Sequence, residues 1–140
     1  MSQHNKSLPI ALFGLRASVF LVMFMWTLDK FINPSHAAKI YESFYLIGGL
    51  ESSVMLIIGS VELVILAAFL AGLYKKFSYG FVLVLHAVST VSAFKYYLSP
   101  FASTHLLFFA AWPMLAACIT LFLLRDEDVL LTVRQPLRNA

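Results

Sequence analysis

Runs of apolar residues alternate with short polar segments along the chain, and four of the runs are as long as a membrane-spanning helix. They cover residues 8–31, 53–73, 77–98 and 105–124. A helix needs roughly 20 consecutive apolar residues to cross the hydrocarbon core of a bilayer. The pattern therefore predicts an all-α integral membrane protein. It consists of a four-helix bundle in one domain over residues 1–140, with residues 125–140 as a short polar tail that lies on the surface or frays.

The composition agrees with membrane insertion. Hydrophobic residues make up 61% of the chain and charged residues only 12%, whereas soluble domains carry roughly a quarter charged residues. The net charge of +3 is small, and we interpret it through its distribution over the loops, as a signal of topology and not of nucleic-acid binding. A single cysteine, Cys118, excludes an internal disulfide and a cysteine-based zinc or iron–sulfur site within one chain.

The segment TLDKFINPSH, residues 27–36, ends the first apolar run and raises the question of a cleaved signal peptide. A signal peptide has an apolar core of about 7–15 residues followed by a cleavage site of small residues. Here the run is longer, Arg16 interrupts it, and Asp29 and Lys30 stand where the cleavage site would be. We therefore predict a retained helix with Trp26 at the membrane interface and Pro34 preventing its continuation.

Lysine and arginine residues are distributed unequally between the two sides of the predicted bundle. The side on which the termini lie carries Lys6, Lys75, Lys76, Arg125, Arg134 and Arg138. The opposite side carries only Lys30, Lys39 and Lys95. Since positive residues accumulate on the cytoplasmic side, both termini are predicted to be cytoplasmic.

Three ionisable residues lie well inside the predicted spans. At 1.5 Å per residue, Arg16, His86 and Glu62 are about 12, 14 and 17 Å from the cytoplasmic ends of their helices. Charged groups inside a membrane usually face the bundle interior and pair. We predict an inner polar cluster of Arg16 with Glu62, with His86 within reach. Nearer the outer surface, we predict a second polar cluster, formed by Lys30 with Glu51 or Glu42.

Two interpretations of these clusters stay open. The ion pairs could simply fix the packing of the bundle. Alternatively, Arg16, Glu62 and His86 could form a polar pocket for a head group or a proton, with His86 titrating near neutral pH. An ordinary core histidine, bonded to a neighbouring hydroxyl or carbonyl, is the simpler interpretation of His86.

Several familiar chemistries are not supported by the residues. His86 and His105 differ in depth by roughly 15 Å, which argues against haem held by two histidines. The chain has no glycine-rich phosphate loop, zinc-protease motif or nucleophile elbow, and no level of the bundle supplies enough ligands for a structural metal. The AAWPM segment predicts a kink in the last helix, whose aromatic surface suits lipid, another subunit or a prenyl tail.

Short motifs over nearly the whole chain occur in an order that is typical of one family. They are Arg16 in the first helix, DKFINP at its outer end, the loop HAAKIYESFYLI, Glu62 followed by LAAFLAGLYKKFS, and the closing LFLLRDEDVLL. In these features the chain resembles the DoxX-like family of small four-helix membrane proteins. Arg16, Lys30, Pro34 and Glu62 match the family pattern, whereas Thr27 stands where a glycine is often found.

The resemblance implies a multi-pass protein of the bacterial inner (plasma) membrane that is associated with redox machinery. The family is named for a small membrane subunit of a thiosulfate:quinone oxidoreductase, and it resembles proteins that assist the maturation of periplasmic redox enzymes. Because Cys118 offers no thiol chemistry, the chain is not expected to be a complete enzyme alone.

Three functions remain open at this stage. In the first, which we favour, the chain is a subunit or assembly scaffold whose partners are the bilayer and either other subunits of a redox complex or a second copy of itself. In the second, it binds a quinone or another lipid non-covalently through the polar cluster. In the third, it transports protons or a small solute, although the sequence shows neither an inverted repeat nor a broken helix. None of them involves nucleic acid or a covalently bound cofactor.

Overall fold

The structure is a computed structural model that describes residues 4–133, with side chains from Lys6 onward. The predicted all-α class is confirmed over this range, which contains no strand. The helices are α1 (His4–Ile32), α2 (Pro34–Tyr45), α3 (Ser52–Leu70), α4 (Lys75–Ser92), α5 (Phe94–Tyr97), a 3₁₀ helix (His105–Ala110) and α6 (Ala111–Leu123). Arg134 and Arg138, which contribute to the predicted orientation, lie outside the described residues.

Three stretches are long and apolar enough to cross a membrane, and they indicate a membrane protein. They are Lys6–Ile32, Ser52–Leu70 and His105–Leu123, which correspond to the first, second and fourth predicted spans. The third predicted span, 77–98, is not among them. It is divided between α4 and α5 by a break at Ala93. In addition, α4 opens with two lysines and carries His86, so it is less apolar than the other three.

Four long helices pack around a common core. α1 contacts α3 and α6, and α4 contacts the same two helices, so that each helix has two neighbours. The core contains the buried side chains of Leu12, Val19, Leu66, Phe69, Tyr79, Val82, Cys118 and Leu121. Only 17%, 22% and 11% of the residues in the three apolar stretches are buried. Most of their apolar surface therefore faces outward, which suits lipid or a partner helix.

A short amphipathic helix, α2, occupies the connection that the sequence suggested was a long loop. Asn33 ends α1 and caps α2, because its side-chain oxygen accepts a hydrogen bond from the backbone N–H of His36 at 3.4 Å. Pro34 begins α2, a position that suits proline since its missing N–H has no partner there anyway. The His36 ring contacts the Asp29 carboxylate at 2.7 Å, which ties α2 back to α1. α2 also packs against α3 and α4, so it covers this end of the molecule.

The last helix changes its geometry close to the predicted kink. Residues His105–Ala110 form a 3₁₀ helix, and the α-helical part begins at Ala111, two residues before Pro113. Proline cannot donate a backbone hydrogen bond to the preceding turn, so the α-helical ladder is weakened at this point.

The C-terminal residues after α6 turn back onto the helices instead of extending away. We call residues Leu124–Val133 the C-terminal strap. The backbone N–H of Val133 donates to the carbonyl of Ala71 at 2.8 Å, at the end of α3. Gly72, with φ +66°, has room only for hydrogen there, since a Cβ would lie 2.5 Å from Thr132 Cγ2. Over residues 125–133 the tail thus lies against the surface of the helices, with most side chains exposed and Asp128 buried.

Candidate functional site

A buried ion pair joins the C-terminal strap to α1. Arg16 Nη1 lies 2.9 Å from Asp128 Oδ2, and both side chains are 0% exposed. The other terminal nitrogen of Arg16, Nη2, donates to the backbone carbonyl of Leu130 at 2.6 Å. Burying two charges is costly unless they are paired and further hydrogen-bonded, and these contacts supply that compensation.

Two side chains of α4 complete this network. The hydroxyl of Tyr79 donates to Asp128 Oδ2 at 2.7 Å and accepts a hydrogen bond from Arg16 Nη1 at 3.2 Å. Lys75 Nζ donates to the backbone carbonyl of Asp128 at 2.6 Å. Burial lowers the pKa of the Lys75 ammonium, and the carboxylates of Asp128 and Asp126 oppose that shift. We call Arg16, Tyr79, Asp128 and Lys75 the strap cluster.

The strap cluster is incompletely hydrogen-bonded. Arg16 Nε and Asp128 Oδ1 are both buried without a hydrogen-bond partner among the described residues. Arginine and a carboxylate often pair through two parallel hydrogen bonds, and that arrangement would engage such atoms. Here only one terminal nitrogen meets one oxygen, so each partner retains an unused polar atom.

A second ion pair links α1 to α3 nearer the opposite end. Lys30 Nζ lies 2.9 Å from Glu62 Oε2, with side chains that are 9% and 12% exposed. The hydroxyl of Thr27 donates to the same oxygen at 3.0 Å. Lys30 also lies over the ring of Tyr41 in α2, 5.7 Å from its centroid. Burial, with the neighbouring Glu62 carboxylate, raises the pKa of the Tyr41 hydroxyl.

Gly59 explains why Lys30 and Glu62 meet. A Cβ on Gly59 would lie 2.9 Å from the Phe31 ring and 3.2 Å from Lys30 Cβ. Only glycine allows α1 and α3 to approach this closely, and the approach fixes Lys30 level with Gly59. Glu62 is three residues further along α3, on the same face of the helix, and so comes within reach of Lys30.

The predicted pairing of the charges is therefore wrong, although Arg16 and Lys30 are buried and Glu62 is partly buried. Arg16 pairs with Asp128 and not with Glu62, and Lys30 takes Glu62 instead of Glu51 or Glu42. Counting residues from the predicted helix ends did not include the offset between α1 and α3 that Gly59 imposes. Glu51 and Glu42 are both exposed.

His86 is a core residue with a partner of its own. It is 8% exposed, and its Nε2 lies 2.9 Å from the backbone carbonyl of Ala111 at the start of α6. Because a carbonyl can only accept, Nε2 carries the proton in this contact. Among the described residues, no hydrogen bond or ion pair joins His86 to Arg16 or Glu62. The structure therefore does not bring the predicted inner cluster together.

The partners that the structure reveals have only weak signals in the sequence. Asp128 lies in the acidic segment RDEDV, where nothing distinguishes it from Asp126 or Glu127. Tyr79 and Thr27 stand at helical positions that polar and apolar side chains could fill equally well. The available signal was Arg16 itself, since a charged side chain inside an apolar helix requires a partner.

Two cavities adjoin each other between α3 and α4. The smaller, of about 10 Å³, is lined by Thr27 and Glu62 together with apolar side chains, and has room for about one water. The larger, of about 290 Å³, is an open groove lined by Val64, Ala68 and Phe77 among others. Ile65 and Phe81 line both, so these two side chains separate the groove from the Glu62 carboxylate.

The described residues contain no group of three histidine, cysteine or acidic side chains that could hold a metal ion. Cys118 is a free, buried thiol in the core of the bundle. No model of a protein family, no curated protein and no solved structure matches the chain. The resemblance to the DoxX-like family thus has only the sequence motifs as its basis.

Proposed function

We propose that the chain is a small multi-pass membrane protein that serves as a subunit or assembly scaffold of membrane-bound redox machinery. In this proposal α1, α3, α4 and α6 cross the bilayer as a four-helix bundle with cytoplasmic termini, in the bacterial inner membrane. The redox association comes from the DoxX-like motifs of the sequence. The scaffold role draws its support from the internal pairing of the charged groups.

That pairing is the observation that carries the proposal. Lys30 and Glu62 engage each other at 2.9 Å, as do Arg16 and Asp128, and His86 is bonded to a backbone carbonyl. The cavity beside Glu62 holds about one water, which is too little for a substrate. Meanwhile the helices present a large apolar outer surface. A dry, paired interior with an apolar exterior suits a protein that packs against other membrane helices.

A second candidate, a lipid- or quinone-binding module, is favoured by the groove between α3 and α4. Its volume of about 290 Å³ could take part of an isoprenoid or acyl tail, and Ile65 and Phe81 line both this groove and the small cavity beside Glu62. A rotation of the Phe81 side chain would open a path from the lipid side to this carboxylate. The transport function has no comparable support.

The experiment is purification of the tagged protein from its native membrane in a gentle detergent. Co-purifying proteins, extracted quinones and the visible absorbance of the sample are measured. A stoichiometric redox subunit is the expected result. A lone protein with bound quinone would favour the second candidate, and a lone protein with neither would contradict both.

The topology is tested separately with single cysteines in a Cys118→Ser background. Ser103→Cys lies in the exposed loop before the 3₁₀ helix, and Asn139→Cys lies in the tail. A membrane-impermeant maleimide added to intact cells should label Ser103→Cys alone. Labelling of Asn139→Cys from outside would contradict the cytoplasmic termini.

A further inference from the structure

The C-terminal strap is attached to the helices mainly by polar contacts. The side chains of Val129, Leu131 and Val133 are 59%, 72% and 54% exposed, so they add little to the core. Attachment depends instead on the contacts of Arg16, Tyr79 and Lys75 with Asp128, Leu130 and Leu131. The hydrogen bond from the Val133 N–H to the Ala71 carbonyl adds to them. Segments with few buried apolar contacts are the ones that open locally while the rest of a protein stays folded.

The strap also carries two local costs. Leu131 has φ +50°, a left-handed conformation that a branched side chain rarely adopts. Arg16 Nε and Asp128 Oδ1, both on fully buried side chains, remain without partners among the described residues. The ion pair that holds the strap thus uses only part of the hydrogen-bonding capacity of Arg16.

In a bilayer that α3 crosses, the strap cluster lies near the level of the lipid phosphate groups. Tyr79 is in the second turn of α4. Its ring packs on that of Phe69, the penultimate residue of α3, with the ring centroids 4.9 Å apart. Since α3 is long enough to cross the hydrocarbon core, its end marks the headgroup region. Arg16 stands ten residues inside the apolar stretch that begins at Lys6, and its guanidinium meets the Tyr79 hydroxyl near this level. Lys75 adds a second positive charge there.

We propose that Arg16 and Tyr79 form a phosphate-binding site, which the Asp128 carboxylate fills as an internal ligand, and that the phosphate of an acidic phospholipid displaces the strap. A phosphate offers more acceptor oxygens than the single one that Asp128 now presents to Arg16, and it can engage Nε together with a terminal nitrogen. The tyrosine hydroxyl and the Lys75 ammonium become donors to the same group. The inference uses membrane insertion but not the redox role, so it can fail or succeed independently of that role.

The test compares amide hydrogen exchange of residues 129–133 in nanodiscs of phosphatidylcholine and of phosphatidylglycerol. Exchange in the core of α3 serves as the internal reference for global unfolding. We expect the parent strap to exchange about tenfold faster in phosphatidylglycerol, while α3 is unchanged. Asp128→Asn should exchange at that faster rate already in phosphatidylcholine, because the internal ligand has lost its charge. Inorganic phosphate added to phosphatidylcholine nanodiscs distinguishes a free anion from a lipid as the source.

Asp126→Asn is the matched control, since Asp126 lies in the same segment but is exposed. It should exchange like the parent protein in both lipids. Equal exchange of the parent strap in both lipids and with phosphate would overturn the proposal, as would an Asp126→Asn strap as labile as that of Asp128→Asn. If inorganic phosphate accelerates exchange and phosphatidylglycerol does not, the phosphate-binding site stands and its ligand is the free anion, not a lipid.

Discussion

Replacing Glu62 by glutamine tests whether the Lys30–Glu62 pair holds α1 against α3. Glutamine keeps the shape and a hydrogen-bond acceptor but removes the charge that faces Lys30 at 2.9 Å. With an effective dielectric constant of about 20, two unit charges at that distance attract by roughly 6 kcal/mol. The remaining hydrogen bond, from the Lys30 ammonium to the neutral amide oxygen, returns about 1.5–3 kcal/mol. Since breaking one side of a buried pair costs about 3–5 kcal/mol, we expect a loss of that size in the free energy of unfolding.

The assay is unfolding in mixed micelles by increasing denaturing detergent, followed by the loss of helical circular dichroism. Glu51→Gln, at an exposed position before α3, is the matched control and should unfold like the parent. The double variant Lys30→Met with Glu62→Met should be more stable than Glu62→Gln, because it leaves no unpaired charge. A Glu62→Gln protein as stable as Glu51→Gln would refute the reasoning.

Three further predictions concern single sites. Gly59→Val should destabilise the protein by about 1–3 kcal/mol, because the new side chain clashes with Phe31 and Lys30. Gly14→Ala should be neutral or stabilising, because nothing lies within 4 Å of the added Cβ. Thermal unfolding of the two variants measures this difference. Burial beside Glu62 raises the Tyr41 pKa, so the neutral hydroxyl is favoured in the folded state, and stability should fall as pH rises above the ordinary value near 10. Tyr41→Phe should lack this alkaline loss in a pH series of unfolding midpoints, and an unchanged profile would contradict the assignment. The buried Cys118 thiol should stay unlabelled by a water-soluble maleimide until the protein is denatured, and rapid labelling of the folded protein would contradict its place in the core.

The apolar pattern was sufficient to predict the helices but not which levels of neighbouring helices lie side by side. It predicted the all-α class and four spans, three of which correspond to stretches that can cross a membrane, because length and hydropathy are local properties of the sequence. It missed α2, whose 12 residues mix polar and apolar side chains too closely to stand out as a separate run. It also overestimated α4, where His86 and the two initial lysines offset the apolar residues.

The sequence identified several residues of the candidate site but not the contacts between them. Arg16, Lys30 and Glu62 were singled out because buried charges are rare inside apolar helices. Their partners depend on distances between helices, which one glycine can set: Gly59 brings Lys30 to Glu62 and leaves Arg16 to another acid. That acid, Asp128, comes from a segment of ordinary polar composition, and only the folded chain reveals that it turns inward.

The distance along the chain between Arg16 and the strap has a consequence for biosynthesis. Arg16 is made early, whereas Leu130, whose carbonyl it binds, follows 114 residues later. At a synthesis rate of about 5–20 residues per second, α1 waits roughly 6–23 seconds with an uncompensated guanidinium. Lys30 meets Glu62 much sooner, since only 32 positions separate these residues (62 − 30). A nascent chain that stops before Asp128 therefore already contains both members of the Lys30–Glu62 pair but leaves the buried Arg16 without its carboxylate partner.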